Sequence, residues 1–448
     1  MKLLLINPMD PRPEAKGMFK TSRVPLGLMS LAGSTIAHGH ETQILDAQAH
    51  GYPAQEVVTK AFESGARVVG ITSTTCSFNE AVRIADGIKE KDNGIIVLLG
   101  GHHVTALPEN SLMRSRADVA VCGEGEEILP QLMDRIQEDL YFHDLPGLAY
   151  RQGDTIRRNG PALFVSDLNA LPLPARQLID YSLYSDAPRG LAEPQDAVEG
   201  SRGCAYKCGF CVAGRRPLRF KSIQKVLNEI AMIQNQYGVK HIIMQDDTFT
   251  LDKKRVIEFC KGIVDRNLEI QFACQTRFDK VDEEILGWLE RAGCTAACFG
   301  VESGNKDVLA SIGKKLDLDE VLKKAPLLKN YSFKTRCTFI LGWINETENQ
   351  VLETIAFAKR LEADETAFCI ATPFPGSRMW DYAVEQGKIS PSIDYERFIF
   401  YHQVGCNLSQ ISDDRLLALQ ALAYHQCKSK TYNETMTFAS EPESKIAD

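Results

Sequence analysis

Over the first 140 residues, short apolar runs rich in branched side chains alternate with stretches in which apolar positions recur every three or four residues. The runs "KLLLIN" (2–7), "ETQILDA" (41–47), "VVGITS" (68–73), "IIVLLGG" (95–101) and "ADVAVCG" (117–123) predict five strands. Between them "PLGLMSLAGSTIAHG" (25–39), "AQEVVTKAFESG" (54–65) and "NEAVRIADGIKEKD" (79–92) predict amphipathic helices, the last two ending at Gly or Asp-Asn. Strands that alternate with helices in this way predict an α/β doubly wound parallel sheet, a Rossmann-like unit over residues 1–140.

The texture changes at residue 141: "GLAYRQGDTIRRNG" (147–160) reads as a hairpin turning at Gly-Asp, and "LNALPLPARQLIDYSLY" (168–184) is too proline-broken for a long helix. Residues 141–195 are therefore expected to be a linker that carries a β-hairpin. Alternation resumes at "DAVEGSRG" (196–203), with strands at "HIIMQDD" (241–247), "EIQFACQTR" (269–277), "TAACFGVES" (295–303), "KTRCTFILG" (334–342) and "TAFCIATPF" (366–374). Helices with i, i+3, i+4 apolar stripes lie between them, and six such βα units predict a partial (β/α)6 barrel over residues 196–394. A tail, 395–448, holds one helical stretch, "SDDRLLALQALAYHQCKS" (412–429), and then a polar end expected to be disordered.

Composition narrows the class. A length of 448 residues suits two globular units and an appendage, and a net charge of -8 argues against a polyanion, so no nucleic-acid partner is expected. The apolar run at the start, "MKLLLINPMDPRPEAKG", is too short for a secretory signal, and no segment is apolar over the length of a membrane helix. Thirteen cysteines, an odd number mostly in apolar segments, point to free thiols in a reducing cytoplasm.

One group of cysteines is different. "SRGCAYKCGFC" (201–211) puts Cys204, Cys208 and Cys211 on a loop after the first strand of the second unit, at the carboxyl end of the sheet, where such folds place their chemistry. Flanking Arg202, Lys207 and Gly209 are not core residues, which disfavours three unrelated buried thiols. Structural zinc wants four ligands, usually in paired knuckles, and no second pair exists. Three thiolates on a tight loop do suit three corners of a [4Fe-4S] cluster with one iron left open.

The C-x3-C-x2-C spacing closely resembles the radical S-adenosylmethionine superfamily, and segments along nearly the whole second unit support the resemblance. It implies that Cys204, Cys208 and Cys211 bind the cluster, that its open iron chelates S-adenosylmethionine, and that one electron cleaves the latter to methionine and a 5'-deoxyadenosyl radical. "QDDTFT" (245–250) resembles the segment facing the methionyl amino group, with Asp246 and Asp247; the bland reading makes these caps of the next helix. Arg277 in "CQTRFD" looks like a partner for the methionyl carboxylate, and Glu302 and Ser303 in "FGVESGNKDVL" resemble the ribose-binding end of the fourth strand. Phe210, and Gly342 in "FILGWINET", are similarly implied S-adenosylmethionine contacts, although Ile344 and Asn345 stand where the family more often has Pro-Gly. "TPFPGSRMW" (372–380) resembles the segment that closes the sixth strand.

The first unit resembles the cobalamin-binding domain that precedes the radical core in the class B radical methylase-like branch. Ligands of open α/β sheets bind beyond the strands' carboxyl ends, which here carry Thr72, Ser73, Gly100, Gly101, His102, His103, Thr105, Gly123, Glu124 and Gly125. These are the residues the resemblance implies for cobalamin. No D-x-H-x-x-G follows the first strand, so no histidine is expected on cobalt. The leading expectation is hydrogen abstraction from a small biosynthetic substrate followed by cobalamin-dependent methyl transfer to an unactivated carbon. The alternative is a cobalamin-independent radical dehydration, deoxygenation or rearrangement of a sugar or polyol with a vestigial first unit, for which Cys298, on the same strand face as Glu302, is the candidate hydrogen donor. Arg336 and Thr338 are polar inside an apolar run and stand where substrate contacts are expected. The implied partner is an electron donor of flavodoxin or ferredoxin type, or a reductase.

Overall fold

The computed structural model describes residues 1–9, 23–184, 194–390 and 393–428. The segment 10–22 and the polar end after 428, expected to be disordered, lie outside the described residues. Strands are numbered in chain order: β1 Lys2–Asn7, β2 Glu41–Asp46, β3 Val68–Thr72, β4 Ile96–Gly100, β5 Val119–Val121, β6 Leu148–Gln152 and β7 Thr155–Asn159. They form one sheet in the order β2-β1-β3-β4-β5-β6-β7. The first five are mutually parallel, and their alternating side chains serve two cores. Leu4, Ile6, Val69 and Leu99 meet helices Ala54–Glu63 and Phe78–Lys91, while Leu3, Leu5, Leu98 and Val119 meet helices Leu26–Ala37 and Ile128–Gln137 on the other face.

The hairpin expected in a free linker belongs to this sheet. β6 pairs antiparallel with β5 and β7 with β6, and Leu148 and Tyr150 are buried in the core beside Val119 and Val121. β5 is only three residues long, and the hairpin covers what would otherwise be an open edge.

The second sheet is built from β8 Gln195–Val198, β11 His241–Met244, β12 Gln271–Thr276, β13 Cys294–Glu302, β14 Lys334–Leu341 and β15 Glu365–Ile370, all parallel and adjacent in chain order. Between β8 and β11 lies a ribbon, β9 Ser201–Arg202 against β10 Arg219–Phe220, that closes the base of the cysteine loop. One face of the sheet carries the core: Ile242, Phe272, Phe299, Phe339 and Phe368 pack against the intervening helices. The intervening polar or small positions, among them Gln275, Cys298, Gly300, Arg336 and Thr338, are left on the opposite, inner face. The helices start on side-chain caps: Ser222, Asp252, Asp282, Asn305, Asp317 and, with a full capping box, Thr347 and Gln350. Asp252, not Asp246 or Asp247, therefore fills the cap position that the bland reading gave to those carboxylates, and Asn305, not Glu302, caps the helix after β13. The tail helix Asp413–Gln426 lies on the core face, where Gln420 donates to the Phe368 carbonyl at 2.7 Å and Tyr424 is buried.

Candidate active site

The cysteine loop leaves β9 through Gly203, whose φ of +82° is left-handed and whose added Cβ would stand 2.4 Å from the Pro217 carbonyl oxygen. At Gly214 a Cβ would come within 1.9 Å of the Tyr206 carbonyl. The loop is thus folded on itself more tightly than a side chain allows. It is also tied to its surroundings: Gly209 N donates to the Ile312 carbonyl at 2.8 Å, and Met379 N donates to the Gly209 carbonyl at 2.9 Å.

Cys204, Cys208 and Cys211 are half-buried free thiols. Burial pushes the Cys208 thiol up and that of Cys211 up to about 11, while the nearby cations Lys314 and Arg277 act in the opposite sense on Cys208. The Ala213 amide donates to Cys211 Sγ at 3.4 Å, and Thr248 Oγ1 is 3.7 Å from Cys204 Sγ. Among the described residues no three His, Cys, Asp or Glu side chains converge on one ion. A cubane asks for something else, thiolates at three separate corners with amide donors and cations to offset sulfur charge, and this donor set fits it.

Around the loop stand the residues that the sequence reading assigned to S-adenosylmethionine. Asp246 is buried and accepts from Gly200 N at 2.9 Å and Ser201 Oγ at 2.5 Å, and burial raises its carboxyl to about 6. It bolts the entrance of the cysteine loop. Asp247 pairs with Arg216 at 3.1 Å. Arg277 pairs with Asp279 at 2.8 Å, donates to the Lys315 carbonyl at 2.9 Å and stacks 3.7 Å from the Tyr206 ring centre. Glu302, with a left-handed φ of +74°, pairs with Lys314 at 2.7 Å. Backbone strain at a non-glycine residue fixes that carboxylate at the end of β13. Ser303 instead joins Thr354 Oγ1 at 3.0 Å and accepts from Asn305 N, a helix-starting role. Gly342 is left-handed with its amide on the Glu346 carboxylate, and Phe210 is half-buried in a small cluster with Cys208 and Trp343. Cys298 lies on the inner face four residues before Glu302, away from the strand ends.

In the first unit a cavity of about 70 Å³ opens at the strand ends, lined by Thr72, Gly100, Gly101, Val121, Gly123 and Gly125 among others. A Cβ on Gly101 would stand 2.5 Å from the Ser73 carbonyl oxygen, while one on Gly100 meets nothing closer than 3.9 Å. Ser73 Oγ is buried with no hydrogen-bond partner among the described residues. Thr105 Oγ1 accepts from Gly123 N at 3.0 Å, tying the glycine loops together. Glycine walls let a flat ring approach the backbone closely, and the orphaned Ser73 hydroxyl is a hydrogen-bonding group for a polar edge, features that suit a corrinoid such as cobalamin, whose ring is edged with amides. Two of the expected cofactor residues are occupied otherwise. His103 is buried, stacked on Phe78 at 4.1 Å, and burial lowers its imidazole to about 3, so it is a neutral packing residue. Glu124 is taken up by Arg219 at 2.7 Å and Arg202 at 3.2 Å. His102 is exposed, and its electrostatic neighbours are Arg216 and Asp247 of the second unit.

The two sites meet at a junction between the units. Across this junction Arg202, two residues from Cys204, meets three carboxylates, Glu126 at 2.7 Å, Glu199 at 2.8 Å and Glu124. Sequence reasoning noted Arg202 as non-core and missed the clasp, along with Tyr206, Lys314 and Glu346. Opposite charges in separate segments carry no local pattern that could have revealed them.

The "B12 binding domain" model matches residues 19–133, and the "Radical SAM superfamily" model matches residues 198–358. An uncharacterized methyltransferase of Pyrococcus horikoshii is 32% identical over 392 residues, 86% of this chain and 83% of that protein. The anaerobic magnesium-protoporphyrin IX monomethyl ester cyclase of Rubrivivax gelatinosus is 27% identical, over 84% of this chain and 68% of that one. Among solved structures, the fold is similar to that of TsrM from Kitasatospora setae with cobalamin and a [4Fe-4S] cluster bound, at a TM-score of 0.73 and 20% identity over 95% of this chain and 88% of that one. The two family models fall on the two sheets, and the archaeal relative runs through both: the chain belongs to the radical S-adenosylmethionine superfamily, in the branch with a B12-binding domain ahead of the radical domain.

Proposed function

We propose that this protein is a cobalamin-dependent radical S-adenosylmethionine methylase acting at an unactivated carbon of a small biosynthetic substrate. The observation that carries the reading is the joining of the two sites: Glu124 and Glu126, beside the cavity-lining Gly123 and Gly125, pair with Arg202 two residues before Cys204, and a Cβ on Gly376 would stand 3.3 Å from the Ala106 side chain and 3.5 Å from that of Val212. In the bound enzyme the cluster supplies the electron that splits S-adenosylmethionine to a 5'-deoxyadenosyl radical, and methylcobalamin supplies the methyl group. The protein's part is positional. Cys204, Cys208 and Cys211 hold the cluster, Asp246 fixes their loop, and Arg277, Glu302 and Asp247, each paired within the chain, exchange partners with the methionyl and ribose groups. The second sheet is read as an incomplete (β/α)6 barrel whose inner face is the substrate chamber, and the electron as coming from a flavodoxin or ferredoxin-type donor. Methyl transfer is a reading that the relatives support, one being named a methyltransferase.

The test is anaerobic purification with cobalamin supplied, followed by the absorption spectrum and assay of 5'-deoxyadenosine under reduction. Stoichiometric corrinoid together with 5'-deoxyadenosine is expected. 5'-Deoxyadenosine without corrinoid overturns the methylase and leaves the cobalamin-independent elimination or rearrangement.

A further inference from the structure

Arg336 stands with Thr338 and Ile340 on the inner face of β14, while Cys337, Phe339 and Leu341 enter the core. Its register neighbours are Cys298 on β13 and Glu365 on β15. Every other buried or half-buried arginine among the described residues reaches an oxygen. Arg176 has Asp196 and Glu229, Arg202 and Arg219 share Glu124, Arg216 has Asp247, Arg277 has Asp279, Arg135 has Asp144 and Arg266 has Asn228. Arg114, Arg151 and Arg255 donate to carbonyls. The Arg336 side chain reaches none among the described residues: its Nε is buried without a hydrogen-bond partner, and no carboxylate forms an ion pair with it.

Burial works against the Arg336 charge, while Tyr401, Cys298, Glu365 and Cys369 favour it, and the balance holds it above its ordinary value. Burial raises the Tyr401, Cys298 and Cys369 groups, Cys369 to about 12, so that of these four only Glu365 is an anion, and it forms no ion pair with Arg336. A half-buried guanidinium that no acceptor in the protein engages keeps its planar fork for a carboxylate or phosphoryl group. The register sets the depth of this position. Cys298, opposite Arg336, precedes Glu302 by four residues, about 13 Å at roughly 3.3 Å per residue.

We infer that Arg336 binds a carboxylate or phosphoryl group at one end of the substrate, while the carbon that reacts lies toward the Glu302 end of the sheet. The substrate is then an elongated acid held by its anionic end on the inner face, and Cys298 belongs to this acid-binding layer. The inference rests on reading the inner face as the substrate chamber.

The experiment uses the full-length, cluster-loaded protein and two probes, inorganic phosphate and acetate. Arginines are modified with phenylglyoxal and mapped by peptide mass spectrometry. Protection of Arg336 by phosphate, by acetate or by both, at concentrations where chloride does not protect, supports the inference, and the more effective probe names the anion class. No protection by either anion overturns it. In parallel the rise of the melting midpoint with the same anion is measured for the wild type, Arg336→Lys and Arg336→Met. The half-effect concentration rises about tenfold for Arg336→Lys, which keeps the charge but not the fork, and the response vanishes for Arg336→Met. An unchanged response in both variants overturns it. Corrinoid content and 5'-deoxyadenosine are recorded on the same preparations. Missing corrinoid with intact anion protection sinks the methylase alone, whereas intact corrinoid and 5'-deoxyadenosine without protection sink the anion site alone.

Discussion

Glu346 supplies the turn chemistry that the segment after β14 lacks. Its carboxylate accepts from Gly342 N at 2.6 Å and Trp343 N at 2.9 Å, holding a loop in which Gly342 and Asn345 are both left-handed, where the family more often has Pro-Gly. It is buried, one oxygen has no partner among the described residues, and desolvation raises its carboxyl to about 7. A carboxyl raised in the folded state binds its proton more tightly there than in the unfolded chain. Its contribution to stability is therefore complete below the ordinary 4.5 and is lost as pH rises through about 7. Glu346→Gln keeps an acceptor for the two amides without the buried charge. Its melting midpoint is expected to match wild type near pH 5 and to exceed it at pH 8, by on the order of 2 kcal/mol in denaturant titrations. For the cysteines, Cys208→Ala is expected to abolish cluster assembly, read as iron and acid-labile sulfide per chain, with loss of 5'-deoxyadenosine. The cysteines were legible because their function depends on local spacing. The role of Glu346 was not, since a buried acceptor and a surface glutamate look the same in a sequence.

Among the elements, β9 does the most joining. Its Arg202 is held by Glu199 of its own segment and by Glu124 and Glu126 of the first unit, while Glu126 also accepts from Ser30 Oγ at 2.9 Å and Arg219 of β10 binds Glu124. The glycine-carboxylate segment read as a cofactor loop is thus half cavity wall and half clasp: Gly123 and Gly125 line the cavity, and Glu124 and Glu126 grip Arg202 at the start of the cysteine loop. Arg202→Met leaves mostly buried carboxylates short of a counter-charge. A loss of on the order of 3 kcal/mol is expected in guanidinium unfolding. Five strands of the first sheet followed from short apolar runs rich in branched side chains, but the membership of the hairpin did not. β6 and β7 have the pattern of a solvent-facing ribbon, and only the docking of Leu148 and Tyr150 against Val119 and Val121 adds them to the sheet.

At the scale of the whole molecule the chain after β15 returns to the first unit. Tyr395 lies edge-on to His103 at 4.5 Å and to Phe78 at 5.6 Å, with Arg114 over its ring, and Phe398 and Trp380 complete the cluster. Asn79 donates to Asp394 at 2.8 Å, and Arg83 pairs with Glu396 beside it. This aromatic seam and the Arg202 clasp are separate attachments of the first unit to the second. Tyr395→Ala is expected to cost on the order of 3 kcal/mol and to split thermal unfolding into two transitions in calorimetry, with faster hydrogen exchange in helix Phe78–Lys91. A single unchanged transition would show that the clasp and the remaining polar contacts couple the units without the Tyr395 ring.

By itself the sequence determined what repeats over a few residues: two runs of alternating strands and helices, a three-cysteine loop at a strand end and glycines at the ends of an earlier sheet. Backbone geometry and side-chain periodicity act within one element, so these signals survive without coordinates. Tertiary structure alone decided which of the motif residues are engaged and with what. His103 went into the core and His102 to the junction, Glu124 to a clasp, and Arg277 and Glu302 to Asp279 and Lys314. Among the described residues Arg336 was left without an ion-pair partner. Burial and the pairing of charges depend on which distant segments meet, and that is fixed only when the two sheets and the tail are packed together.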